Sequence, residues 1–168
     1  MPKSRPALLL DANVLIDFCT ADLTALGLVS RHLRPIRVLT PVLGEVQQLD
    51  AAGCDRHSLE LWEPSTDQLL AAGARRRSLS FLDRLCLIVA RDEGWVCATN
   101  DKVLRQECRT EGVRTRWGLE LLVDLVEAKR LTRGRAIHIA AEIHSNNRLH
   151  ITAAILARFE QRLRGPRE

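Results

Sequence analysis

The chain has no tyrosine, three phenylalanines and three tryptophans, so aromatic residues make up only 4% of its 168 residues. An aromatic platform of the kind that stacks single-stranded nucleic acid has little material to be built from. Only Lys3, Lys102 and Lys129 are lysines, so nearly all the positive charge is arginine, the better bidentate phosphate donor. No Cys-x-x-Cys pair occurs among Cys19, Cys54, Cys86, Cys97 and Cys108. An odd set without that spacing argues against a disulfide framework and a zinc ribbon. Reduced, mostly buried thiols and a cytoplasmic location are the expectation. There is no His-Glu-x-x-His, no Gly-rich phosphate loop and no Gly-x-Ser-x-Gly elbow. His138, His144 and His150 do not share one helix face and are set aside as metal ligands. No apolar run reaches the ~18 residues of a bilayer span, so no membrane partner is expected. Asp11 and Asp17 interrupt the apolar stretch that follows Lys3 and Arg5, which argues against a secretory leader.

What is present suits one globular domain. Hydrophobic residues are 46% and charged residues 27%, ordinary values that exclude disordered and fibrous classes. Charge is uneven. Residues 1–101 carry 11 basic and 13 acidic side chains, net −2, and residues 102–168 carry 14 and 8, net +6. A basic half permits a polyanion partner without requiring one.

Strand signals alternate with helix signals. Ala7 to Leu10 is a short apolar run of the kind buried on both faces. Residues 12–19 and 22–32 look helical. Ile36–Leu39 is a second strand, and Pro41 suits the first turn of a helix running from Val42 to about Ala52, with Gly53 as its stop. Leu59–Trp62 is a weaker strand, followed by a helix from Pro64-Ser65-Thr66 to near Gly73. Residues 80–92 form the strongest helix, with Gly94 as stop. A strand at 95–98, a helix at 102–110, a short strand at 113–115 and a helix at 119–129 follow. Residues 135–145 and 151–164 close the chain as two helices. The last is amphipathic, fit to close the core or to form part of a homodimer or antitoxin groove. Alternation of this kind predicts βαβ units and a mostly parallel sheet.

Four acids fall at informative places. Asp11 directly follows the first strand, and Asp101 directly follows the 95–98 strand. Glu45 is placed on the first turn of the 42–52 helix, and Asp83 on the first turn of the 80–92 helix. Each alone has a structural use as a helix cap or first-turn acid. In a parallel α/β sheet, however, strand C-termini and helix N-termini share the edge where ligands bind. Carboxylates gathered there repel one another unless a cation joins them. An all-oxygen donor set suits Mg²⁺ or Mn²⁺, the ions of phosphodiester hydrolysis.

Leu8-Leu9-Leu10-Asp11-Ala12-Asn13-Val14 resembles the opening motif of the PIN-domain family of metal-dependent nucleases. Pro41-Val42-Leu43-Gly44-Glu45-Val46 is similar to its second motif, Asp83 stands where its third acid belongs, and Thr99-Asn100-Asp101 resembles its Thr-x-Asp. The resemblance spans about residues 7–130. It implies a PIN-like three-layer α/β/α domain at 1–130, with 131–168 as a helical extension packed on it. It implies an endoribonuclease, and VapC-like toxins of toxin–antitoxin pairs are frequent among short members. RNA is then the substrate, a small antitoxin a candidate partner, and a homodimer the expected assembly. Carried over residue by residue, Asp11 and Asp101 are metal ligands. Asp83 is a third ligand or holder of a metal-bound water. Glu45 acts through water, and Asn13 and Thr99 orient carboxylates. Arg75, Arg76, Arg77, Lys102 and Arg105 would hold the RNA backbone.

Other functions compete. A haloacid-dehalogenase-type phosphatase also places Asp after its first strand, but its acid/base position is Asn13 here. A response-regulator receiver lacks its early acidic pair. A PIN-fold RNA-binding or RNA-processing protein that is not a toxin remains open. Asp17, Asp92 and Glu93 read as surface or cap residues, with a role at the rim of the site as the lesser alternative.

Overall fold

The computed structural model describes residues 5–74 and 78–165. Within them five strands form one sheet: β1 (Leu8–Leu10), β2 (Ile36–Leu39), β3 (Glu60–Trp62), β4 (Val96–Ala98) and β5 (Thr115–Arg116). Their order is β3-β2-β1-β4-β5, and every pairing is parallel. The helices are α1 (Ala12–Ala21), α2 (Leu23–His32), α3 (Thr40–Gly44), α4 (Ala51–Arg56), α5 (Thr66–Ala74), α6 (Phe81–Glu93), α7 (Lys102–Thr110), α8 (Gly118–Glu127), α9 (Arg133–Asn146) and α10 (Ala153–Arg164).

The alternation of β1 side chains decides the layers. Leu8 and Leu10 join a core with Phe18, Leu26, Leu122 and other residues of α1, α2 and α8. Leu9 faces the other way, into a core with Leu85, Val89 and Leu104 of α6 and α7. A strand buried on both faces must be apolar throughout, which is why β1 reads as three leucines. The result is a three-layer α/β/α domain with a wholly parallel sheet. Ile139 and Ile143 of α9, Phe159 and Leu163 of α10, and Ile151 between them lie in the same core as Leu8 and Leu10.

Local signals explain most element ends. Ser80 caps α6, its hydroxyl accepting from the Asp83 amide at 3.2 Å. Gly94 ends that helix at φ 70°, a left-handed conformation that glycine adopts without a Cβ penalty. One expected element differs. The helix read over 42–52 is two short ones, α3 and α4, with 45–50 outside both. The amides of Glu45 and Val46 close tight turns onto Val42 and Leu43 carbonyls. Asp50 then starts a new helix by accepting from the Gly53 amide at 2.7 Å, an alternative to continuing the old one. Gly53 therefore lies inside α4 rather than stopping a helix. A Cβ there would stand 2.6 Å from Leu49 Cδ1, so the residue serves close packing. The last short strand is also displaced, to Thr115–Arg116.

Among the described residues, no single helix is long and apolar enough to cross a membrane. Cys54, Cys86, Cys97 and Cys108 are buried, Cys19 is half-buried, and all five are free thiols.

Candidate active site

The chain runs outward from β1 to β2 and β3 on one side, then crosses to β4 and β5 on the other. This reversal leaves a crevice beyond the C-terminal ends of β1 and β4, the ligand-binding position in such sheets. Asp11 and Thr99 sit at that crevice, next in the chain after the paired residues Leu10 and Ala98. The Asp11 amide donates to the Ala98 carbonyl at 3.2 Å, which ties the two strand ends together.

Asp11 is 2% exposed. Its Oδ1 accepts from the Val14 amide at 2.8 Å and so caps α1. Its Oδ2 accepts from the Thr99 hydroxyl, which in turn accepts from the Asp101 amide at 3.0 Å. Thr99 is thus a bridge between two acids 90 residues apart in sequence. Asp101 is half-buried and caps α7, with Oδ1 accepting from Val103 and Leu104 amides at 2.7 and 3.0 Å. Its Oδ2 lies outside these bonds. Asp83 is half-buried on the first turn of α6.

These acids feel one another. Burial pushes the Asp11 carboxyl up to about 7, and the charges of Asp83 and Asp17 add to it, against the lowering effect of its hydrogen bonds. Burial also raises Asp83, and the Asp101 charge pushes the same way. The repulsion is pairwise, Asp11 with Asp83 and Asp83 with Asp101. Glu45 stands elsewhere than expected in local structure. It is exposed at the C-cap of α3, because that helix ends before it. Asn13 is exposed on the first turn of α1.

Of the residues expected to hold RNA, Lys102 is exposed at the start of α7. Arg105 is anchored internally. Its guanidinium stacks on Trp117 at 3.4 Å from the ring centre and donates to the Thr99 carbonyl at 3.0 Å and the Thr115 hydroxyl at 3.2 Å. Arg75, Arg76 and Arg77 lie outside the described residues.

Sequence reasoning missed a second buried acid. Asp17, 7% exposed, accepts from Asn100 Nδ2 at 3.3 Å and from Asn147 Nδ2 at 3.0 and 3.2 Å. Asn100, 6% exposed, accepts from the Gly118 amide at 2.9 Å through its Oδ1. A signal for Asp17 existed: it shares the α1 face of Val14 and Phe18, where an unpartnered acid is costly.

Burial pushes Asp17 up to about 6, less its bonds from Asn147 and Asn100. Asp11 and Asp17 both bind a proton more tightly folded than unfolded. Each therefore adds stability that is full below about pH 4 and is lost as pH rises through about 6 and 7. The protein in EDTA is expected to melt several degrees higher at pH 5 than at pH 8. A thermal scan at the two pH values checks this, and a higher melting point at pH 8 contradicts it.

Among the described residues, no three His, Cys, Asp or Glu side chains stand close enough to hold a metal ion as their rotamers lie. In kind, the donors nonetheless match a hard divalent cation. They are carboxylates, they are partly desolvated, and their charges oppose one another.

The sheet order, the wholly parallel pairing and the helices on both faces match a PIN-like fold. The solved structure of a PilT N-terminus domain protein from the hyperthermophilic archaeon Sulfolobus solfataricus P2 is similar to this chain, with a TM-score of 0.55 and 14% identity. The match covers 72% of this chain and 94% of that one. No protein-family model matches the sequence, and no curated protein matches it.

Proposed function

We propose that this protein is a Mg²⁺- or Mn²⁺-dependent endoribonuclease acting at the crevice beyond β1 and β4. The observation that carries the reading is the Thr99 bridge, which ties the Asp11 carboxylate to the Asp101 amide beyond the paired ends of β1 and β4. The PIN-like fold supports it. Asp11, Asp83 and Asp101 would hold the cation. When bound, the cation polarises a phosphoryl oxygen and lowers the pKa of water. The remaining steps belong to the chain. Thr99 fixes the Asp11 carboxylate, and the α7 amides fix one oxygen of Asp101 while leaving the other for a ligand. Glu45, exposed near the end of α3, would accept a proton through water. Lys102 would bind the RNA backbone.

A toxin role with a small antitoxin is the finer form of this reading. A groove of about 1200 Å³ beside Asp101 supports it, with Leu119, Val123 and Ile155 among its apolar lining and Lys102, Arg158 and Arg162 among its cations. Leu149, 84% exposed, stands in that lining as well. A homodimer could use the same surface.

A second reading is RNA binding without cleavage. Among the described residues no three such donors stand together, and this favours it. Incubation of a mixed RNA panel with Mg²⁺, Mn²⁺ or EDTA separates the two, using the wild type and Asp101→Asn. Cleavage that needs the cation and is lost in Asp101→Asn, with RNA binding kept, is the expected result. Cleavage in EDTA, or equal cleavage by the variant, refutes the nuclease reading. Retention of RNA without any cleavage establishes the second.

A further inference from the structure

Asn100 lies between Thr99, which holds Asp11, and Asp101. Its side-chain amide is fixed at both ends. The oxygen accepts from the Gly118 amide at the start of α8, and the nitrogen donates to Asp17 on α1. Gly118 fits against it closely, since a Cβ there would stand 3.2 Å from Asn100 Nδ2. Asp17 is held in turn by Asn147, the C-cap residue of α9, which contributes two of the three side-chain bonds to that carboxylate. A continuous polar chain, half-buried at Asn147 and buried at Asp17 and Asn100, thus runs Asn147–Asp17–Asn100 to the peptide carrying Asp101. One end of that chain belongs to the two closing helices, and the other reaches the site.

We infer that Asp17 and Asn147 are positioning residues, through which the two C-terminal helices fix the Thr99–Asp101 segment in its working geometry. The inference rests on the metal-dependent nuclease reading. A buried carboxylate facing two amide donors is a costly arrangement unless all its bonds are made. Losing one donor therefore lets the segment shift rather than merely weakening one contact. Partners that orient metal-binding carboxylates typically change affinity or activity by about 10–100-fold when removed.

The test uses the full chain, with Mn²⁺ as the probe ion and a cleavable RNA. Asp17→Asn keeps an oxygen that can accept from Asn100 but sets its own Nδ2 against the Nδ2 of Asn147. The double variant Asp17→Asn/Asn147→Asp moves the carboxylate to the other side while keeping an acceptor for Asn100. Asn147→Ala is the milder variant if Asp17→Asn folds poorly, and Ile139→Val, a core trim outside the polar chain, controls for lost stability. Asp17→Asn and Asn147→Ala are expected to weaken Mn²⁺ binding by about 10-fold or more and to lower kcat by a similar factor, with KM for RNA little changed. The double variant should recover most of both, and Ile139→Val should change neither. Wild-type affinity and kcat in Asp17→Asn and Asn147→Ala, with wild-type Mn²⁺ binding intact, overturn the inference alone. Failure of the wild type to bind Mn²⁺ overturns the nuclease reading and the inference with it. Equal losses in Ile139→Val reduce the effect to stability and also overturn the inference.

Discussion

Asp11→Asn is expected to abolish RNA cleavage while making the metal-free protein more stable at pH 8. The two effects have one cause. Asp11 is 2% exposed, and burial holds its proton to about pH 7. Above that pH the folded state carries a desolvated charge that the unfolded chain would hydrate. Asparagine keeps the useful geometry: its oxygen can still accept from the Val14 amide, and its nitrogen can donate to the Thr99 hydroxyl. Removing the charge is worth on the order of 2 kcal/mol, since each pKa unit corresponds to about 1.4 kcal/mol and one hydrogen bond is weakened. For a chain of this length that is a gain of about 4–8 °C in melting temperature. Cleavage should fall by at least ~100-fold, because the variant loses a ligand charge that opposes the cation's. Melting in EDTA and RNA turnover in Mg²⁺ measure the two halves. A lower melting point would show that the buried charge costs nothing in the apo fold. Retained turnover would place the chemistry outside this crevice.

Such an opposition between stability and chemistry is characteristic of sites that assemble like charges. It also explains which parts of the site could be read from sequence. Asp11 and Asp101 were legible because each directly follows an apolar run too short for a helix, and a parallel sheet sends all such ends to one edge. Asp83 was legible through the cap chemistry of Ser80 and the period of α6. The break between α3 and α4 was not, because it depends on competition. Apolar spacing favours a continuing helix through 45–50, and Asp50 wins by offering the backbone an alternative partner at 2.7 Å. Glu45 changed its local setting with that break. Asn147 was beyond reach for a different reason. Its bond to Asp17 joins residues 130 apart, and although the apolar face of α1 marks Asp17 as needing a partner, nothing in the sequence singles out Asn147 as that partner. Arg105 shows the converse. Its charge and position suggested RNA, whereas its stacking on Trp117 and its bonds to Thr99 and Thr115 follow from the close approach of α7 and β5.

Truncation after Arg130 is expected to destroy cooperative folding rather than release a smaller working domain. The 1–130 portion reads in sequence as a complete α/β unit, yet α9 packs along α1, and α10 packs on α8 and α9. Ile139, Ile143, Ile151, Phe159 and Leu163 are each 5% exposed or less. Burying one such side chain is worth roughly 1.5–3 kcal/mol. Losing five of them, and exposing the apolar faces they cover on α1 and α8, removes a contribution as large as the ~5–15 kcal/mol that typically holds a whole domain folded. Asp17 would also lose Asn147 and face water on the side that α9 closes. Single trims should scale accordingly, with Ile139→Ala costing about 2–5 kcal/mol and Phe159→Ala about 3–5 kcal/mol. Circular dichroism melting and gel filtration of the truncated chain provide the check. A soluble 1–130 fragment with a sharp melting transition would show that the last two helices are an addition to a self-sufficient domain, whereas aggregation or a broad, non-cooperative transition would show that they complete it.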